Sequence, residues 1–141
     1  MSNRHASLHA ESLRLAASAA RIGFWSWSPP DEFQWDDSLY QLIGLDPREH
    51  QPSPQTLLSL VHPDDRHLLE EGGRAIVAGD AVSPRDEFRL TGPDGRLRWF
   101  EIHRARTPGS QQVVGLIQEI TERKQSFERL TESEARLELA P

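Results

Sequence analysis

PRDEFRLTGPDGRLRWFEIHRAR, residues 84–106, is the stretch whose reading decides the fold. From Pro84 onward the residues alternate with period two, placing Asp86, Phe88 and Leu90 on one side and Glu87 and Arg89 on the other. Gly92, Pro93, Asp94 and Gly95 then form a strong hairpin signal, because Asp followed by Gly readily takes positive φ. Leu97 to Arg106 runs back as the partner strand, with Leu97, Trp99 and Glu101 on one face and Phe100 and Ile102 on the other. Both faces carry aromatic weight, so both need at least partial cover.

Working outward toward the C-terminus, Thr107 to Gln111 reads as a turn and Gln112 to Ile120 as a last strand. Thr121 is placed to cap a final helix through Ala140, in which Phe127, Leu130 and Leu137 match a and d positions of a short coiled-coil start while Glu134 falls on an a position. Working toward the N-terminus, Asp64 and Asp65 suit the positive end of a helix that runs to Ala78 and stops at Gly79. The adjacent Gly72 and Gly73 cost that helix about 1 kcal/mol each relative to alanine, which signals a kink or close contact with a neighbour. Ser53 and Pro54 start a shorter helix to Leu60, and Asp36 or Asp37 caps another that carries Leu39, Tyr40, Leu42 and Ile43 and ends at Gly44. Glu32 to Trp35 and Phe24 to Trp27 are two short strands separated by Pro29 and Pro30. Ala6 to Arg21 is an amphipathic helix with Leu8, Ser12, Leu15, Ala19 and Ile22 along one face. The order is helix, two strands, three helices, three strands, helix, an α+β arrangement of antiparallel strands with helices on one face.

Composition narrows the function classes. A chain of 141 residues fits one domain able to bury roughly two thirds of its unfolded surface. Cysteine is absent, so disulfides, thiolate metal sites, cysteine nucleophiles and any cysteinyl adduct with a cofactor are ruled out. The net charge is −6 with the two signs interspersed, which gives no footprint for a phosphate backbone, so no nucleic-acid partner is expected. Apolar runs such as Val113 to Ile117 are too short to cross a bilayer and the N-terminus has no signal-peptide pattern, so the expected location is cytoplasmic, with no direct membrane contact.

The segments resemble the PAS family, in the subgroup with a histidine, a proline and two aspartates between helices. The resemblance is carried by GFWSW (23–27), DDSLYQLIGLD (36–46), LVHPDDR (60–66), EFRL (87–90), GPDGRLRWF (92–100) and a closing VGLIQEITERK (114–124) similar to the PAC-type end motif. It implies a PAS fold, a five-stranded antiparallel sheet with short helices on one face, over residues 22–120. Residues 1–21 and 121–141 would be flanking helices, the second a signalling linker. It further implies a sensory, dimerising module of a bacterial two-component or related protein, not itself an enzyme, with a histidine kinase or diguanylate cyclase as output domain in the same chain. One departure is Glu119, where the family most often has aspartate. The longer side chain keeps the charge and alters the geometry of the bond that ties the last strand to the outgoing helix. Leu13, Leu15 and Ala16 recur as Leu137, Leu139 and Ala140, an echo compatible with a tandem array.

On this resemblance Glu119, Ile120 and Thr121 are the signal-relay residues. A homodimer through the flanking helices is expected, with Leu8, Leu15, Trp25, Trp27, Phe127 and Leu130 at the interface; the physical motive is that one face of an aromatic first strand must be covered by something outside the core. A small-molecule ligand is a candidate partner and its identity is open. Haem is the runner-up cofactor, with His67 as the residue to watch because haem-binding relatives draw a ligand from this helix, although a helical histidine beside Arg66 is more often simply solvated. A flavin adduct is excluded by the absence of cysteine. Gln118 is read either as a cavity hydrogen-bonder or, by preference, as satisfying a neighbour at the sheet edge. His62, Asp64 and Asp65 read as capping and not as a metal site. The alternatives are a ligand-free structural spacer, with a cavity fit only for a few waters, and a small enzyme, for which no convergent polar site is visible.

Overall fold

The computed structural model describes residues 2–139. Helix α1 covers Ser2–Ala20, strands β1 and β2 cover Ile22–Ser28 and Glu32–Trp35, and helices α2, α3 and α4 cover Asp37–Ile43, Pro54–Leu58 and Arg66–Ala78. Strands β3, β4 and β5 follow at Arg85–Thr91, Leu97–Arg106 and Val113–Glu119, and helix α5 at Thr121–Leu139 closes the chain. The expected element order is thus found. The last expected helical residue, Ala140, which also carries part of the internal echo, lies outside the described residues.

The strands form one antiparallel sheet in the order β2-β1-β5-β4-β3. The hairpin registers Phe88 on Phe100 and Leu90 on Arg98, and β5 places Ile117 between Gly23 of β1 and Ile102 of β4. Period two then sorts the residues. Trp25, Trp27, Phe33, Trp35, Phe88, Phe100, Ile102 and Ile117 share the inner face, where Leu39, Tyr40, Ile43, Leu57 and Ile76 from α2, α3 and α4 cover them in one hydrophobic core. Phe88 and Phe100 stack with centroids 5.9 Å apart and are fully buried. Burying one such side chain is worth about 1.5–3 kcal/mol, so this hairpin pair anchors the core.

Local chemistry fixes the helix ends. Asp36 accepts from the backbone of Leu39 at 2.9 Å and from Phe24 of β1 at 3.0 Å, so one carboxylate both caps α2 and ties it to the sheet. Ser53 caps α3 through Thr56, and Gly44 and Gly79 end α2 and α4 in the left-handed region. The phenol of Tyr40 donates to the His50 carbonyl at 2.9 Å, and burial raises its pKa.

The adjacent glycines of α4 leave the helix continuous and mark two close approaches. A Cβ on Gly72 would come within 2.6 Å of the Arg104 guanidinium, whereas one on Gly73 would meet Trp27 at an ordinary 3.7 Å.

Two expectations need correcting here. Trp25 and Trp27, expected at a dimer interface, are core residues, because the parity of β1 turns them to the helix-covered face; Phe24, 40% exposed, is the aromatic that β1 turns to the outer face. Helix α1 meets the domain through buried Ala17, and Ile22, expected on its apolar face, belongs to β1. Leu8 and Leu15 are left exposed, as are Phe127 and Leu130 of α5.

Candidate functional site

Between the inner face of the sheet and the helices over it lies a partly open cavity of about 50 Å³, walled by Trp25, Trp27, Phe33, Trp35, Ile76 and Ile117, with Arg104 at one side. The four aromatics form a contiguous cluster, with Phe33 against each of the three tryptophans at centroid distances of 5.4–6.3 Å. Arg104, whose side chain is 2% exposed, is neutralised by Asp86 and donates to the Ser83 carbonyl at 3.2 Å. A buried guanidinium needs such partners to offset its desolvation. The space accommodates water-sized occupants and falls well short of the roughly 300–1,000 Å³ of sites for drug-sized ligands.

Neither of the two residues expected to hold a cofactor reaches this cavity. Gln118 is turned away by strand parity: Ile117 points in, so Gln118 lies on the outer face opposite Glu101. The preferred reading of Gln118, satisfying a neighbour at the sheet edge, misplaces its strand: β5 is the middle strand of the five, flanked by β1 and β4. His67 is exposed on α4, which contributes Leu69, Gly73 and Ile76 to the wall.

The histidine, proline and two aspartates before α4 act as a clasp. His62 Nδ1 accepts from the Asp64 N–H at 3.1 Å, and Asp65 accepts three bonds from Arg89 of β3: the backbone N–H at 2.7 Å and the guanidinium Nε and Nη2 at 2.9 Å each. The bonded guanidinium holds the Asp65 carboxyl below its usual pKa. Both carboxylate oxygens are committed to fixing the start of α4 onto β3.

The junction of β5 and α5 gathers Glu119, Ile120 and Thr121, the three residues expected from the resemblance to relay a signal. The Ile120 N–H donates to the Trp99 carbonyl at 2.8 Å, and the Trp99 N–H donates to Thr121 Oγ1 at 3.0 Å, so the outgoing helix begins as a continuation of the β4 ladder. The Glu119 carboxylate takes Arg21 at 2.8 Å and Arg98 at 3.4 Å, and the Glu119 N–H donates to the Arg21 carbonyl at 3.0 Å. Arg21 directly follows α1 and has φ of 57°, a left-handed conformation unusual away from glycine. On the outer face, Arg123 of α5 donates to buried Glu101 at 3.2 Å, and Glu101 also pairs with His103 at 2.7 Å. Lys124 pairs with Glu87 and lies 4.6 Å above the Trp99 ring, which Arg89 also approaches at 5.3 Å. Each cation over an aromatic ring adds about 0.5–1 kcal/mol at an exposed site. The first turn of α5 is therefore held to β3 and β4 by charge, and its later apolar residues remain free.

Sequence reading missed Arg21, Arg98 and Arg104. A signal was available for two of them: Arg98 and Arg104 have the same parity as Phe100 and Ile102, and a charge on the inward side of a core strand calls for a partner.

This architecture agrees with the comparisons to known proteins. The family described as PAS fold matches residues 32–130, well over half of the chain. The chain belongs to the PAS fold family. The family match begins at β2, yet β1 is an integral strand of this PAS sheet, paired with both β2 and β5. A blue-light-activated histidine kinase of Brucella ovis is 28% identical over 118 residues, 82% of this chain and 24% of that protein. A protein of the same description from Brucella abortus matches equally, so the chain spans about a quarter of the length of these relatives. Among solved structures, a sensory box histidine kinase/response regulator from Burkholderia thailandensis superposes with TM-score 0.65 at 24% identity, covering 91% of this chain and 98% of that one. The N-terminal domain of a diguanylate cyclase with a PAS/PAC sensor from Marinobacter aquaeolei gives TM-score 0.58 at 17% identity, covering 73% and 98%. PAS sensor modules of signalling proteins are thus what this domain resembles in sequence and in shape.

Among the described residues no helix is long and apolar enough to cross a membrane.

Proposed function

We propose that this PAS domain is a non-catalytic, cytoplasmic sensory and dimerising module that passes a change in its sheet through Glu119, Ile120 and Thr121 into α5. The output would be a histidine kinase or diguanylate cyclase domain in the same chain, reached through residues 121–141. The reading rests on one observation above all: the first two residues after β5 take both backbone groups of Trp99, so a shift of β4 is felt directly at the start of α5. Packed elements with two alternative arrangements make an adequate switch. The exposed Leu8, Leu15, Phe127 and Leu130 supply apolar surface on both flanking helices for a second copy. A net charge of −6 argues against nucleic acid as a partner.

A second reading, a structural spacer without a small-molecule ligand, is favoured by the 50 Å³ cavity. The names of the Brucella relatives point to light, which raises flavin. The cavity as arranged does not fit a tricyclic ring, and without cysteine no thiol adduct can form. For haem, exposed His67 offers no axial ligand to the cavity. The experiment is an absorbance spectrum together with native mass spectrometry of the freshly purified chain and of Leu130→Asp. The account expects a dimer that Leu130→Asp weakens. A wild-type monomer at all concentrations overturns dimerisation, and a visible absorption band or added mass overturns the spacer reading in favour of a ligand sensor.

A further inference from the structure

A second pocket, of about 160 Å³, opens where α1 ends against α2 and β4. Its polar lining is Ser18, Arg21, Ser38, Gln41 and Arg98, and no carboxylate is among the lining residues. Arg98 is 9% exposed, and its Nε is buried with no hydrogen-bond partner among the described residues. Its hydrogen bonds are long, Nη1 to Glu119 at 3.4 Å and Nη2 to the Ile43 carbonyl at 3.5 Å, and its guanidinium lies 5.4 Å over the Phe100 ring. Glu119 meanwhile makes its shorter contacts with Arg21, at 2.8–2.9 Å, so two guanidiniums share one carboxylate, and among the described residues the cluster carries one positive charge in excess.

An unpaired buried donor on a charged group is costly to leave unmade, and the guanidinium fork matches the spacing of paired oxygens on a carboxylate or phosphate. Hydroxyls at Ser18 and Ser38 and the amide of Gln41 add donors around the same space. The size restricts the ligand to a few heavy atoms.

We propose that this pocket is a binding site for a small oxyanion, a phosphate or a small carboxylate, held by Arg98 and Arg21. It lies apart from the aromatic cavity and shares no lining residue with it. The site goes beyond the relay reading, and its test does not depend on any output domain.

The test is thermal unfolding and titration calorimetry of the whole chain with inorganic phosphate and, separately, succinate, each against chloride at matched ionic strength. Two variants accompany the wild type. Arg21→Gln removes a side chain that is 60% exposed and leaves Glu119 its Arg98 partner, and Gln41→Glu puts a negative charge at the mouth from an exposed position; circular dichroism confirms that both variants fold before they are titrated. The expected result is a saturable rise in Tm for wild type with at least one of the two anions, and affinity weakened about tenfold or more in both variants. The tighter of the two anions identifies the source. Because phosphate also stabilises proteins by exclusion from their surface, an equal rise in wild type and both variants overturns the site. So does the lack of any saturable response.

Discussion

The two adjacent glycines of α4 respond to alanine with opposite signs. Alanine in a helix interior gains about 1 kcal/mol over glycine, partly by restricting the unfolded chain. At Gly73 the new methyl meets Trp27 at 3.7 and 3.9 Å, ordinary contact distances, so the gain is realised. For a chain of this length about 1 kcal/mol corresponds to roughly 3–4 °C in Tm. At Gly72 the methyl would lie 2.6–2.9 Å from three atoms of the Arg104 guanidinium. Arg104 has little freedom to yield, since its side chain is 2% exposed and pinned by Asp86 and the Ser83 carbonyl. Overpacking costs about 1–3 kcal/mol, and disturbing a buried ion pair adds to it. The net expectation for Gly72→Ala is a loss of about 2 kcal/mol, or roughly 6–8 °C, measured by circular dichroism or calorimetry beside Gly73→Ala. A Gly72→Ala variant as stable as Gly73→Ala would refute the packing of Arg104 against α4.

Asp65→Asn keeps one acceptor but turns a donor toward the Arg89 guanidinium, and should cost about 2–4 kcal/mol at neutral pH by urea unfolding. Because the folded Asp65 pKa lies below its unfolded value, this contribution is complete above the unfolded value near 3.8 and disappears as the pH falls below it through the folded pKa. The gap between wild type and Asp65→Asn should therefore close in strong acid, and a gap independent of pH would contradict the clasp. Gly115→Ala places a methyl 1.9 Å from the His103 carbonyl oxygen and 2.7 Å from the Trp25 ring, and should destabilise by more than about 3 kcal/mol in the same assay. His67→Ala should change stability by less than about 0.5 kcal/mol and leave the absorbance spectrum unaltered, as expected for an exposed helical side chain.

Elements with strong local chemistry are legible in the sequence. β2 falls at Glu32–Trp35 and β4 at Leu97–Arg106 as their alternation and bounding turns require, and Gly44 and Gly79 end their helices in the left-handed conformation that glycine accepts. What local pattern could not supply was which face is inner. Period two puts Trp25 and Trp27 together, but only their pairing with Gly115 and Val113 of β5 turns them toward the helices. The same pairing places Ile117 in the cavity wall and Gln118 outside it. The residues proposed as a relay come from the resemblance alone, which says nothing of their partners. Arg21 and Arg98 lie 98 and 21 residues from Glu119, and nothing local marks contacts at such separations. The amphipathic pattern of α1 was also a poor guide to its docking. Its contact is made by small Ala17, and the leucines that define the pattern stay in solvent.

The central claim is that Thr121 couples the sheet to the outgoing helix, and it is tested most directly in the full-length parent by assaying output activity for Thr121→Ala beside Thr121→Ser. Serine retains the hydroxyl that accepts from the Trp99 N–H at 3.0 Å, and alanine leaves that donor without its partner. The account predicts that Thr121→Ala moves the basal output several-fold, a coupling of about 1 kcal/mol or more, while Thr121→Ser stays near wild type. Output unchanged in Thr121→Ala, with the domain still folded, would contradict it.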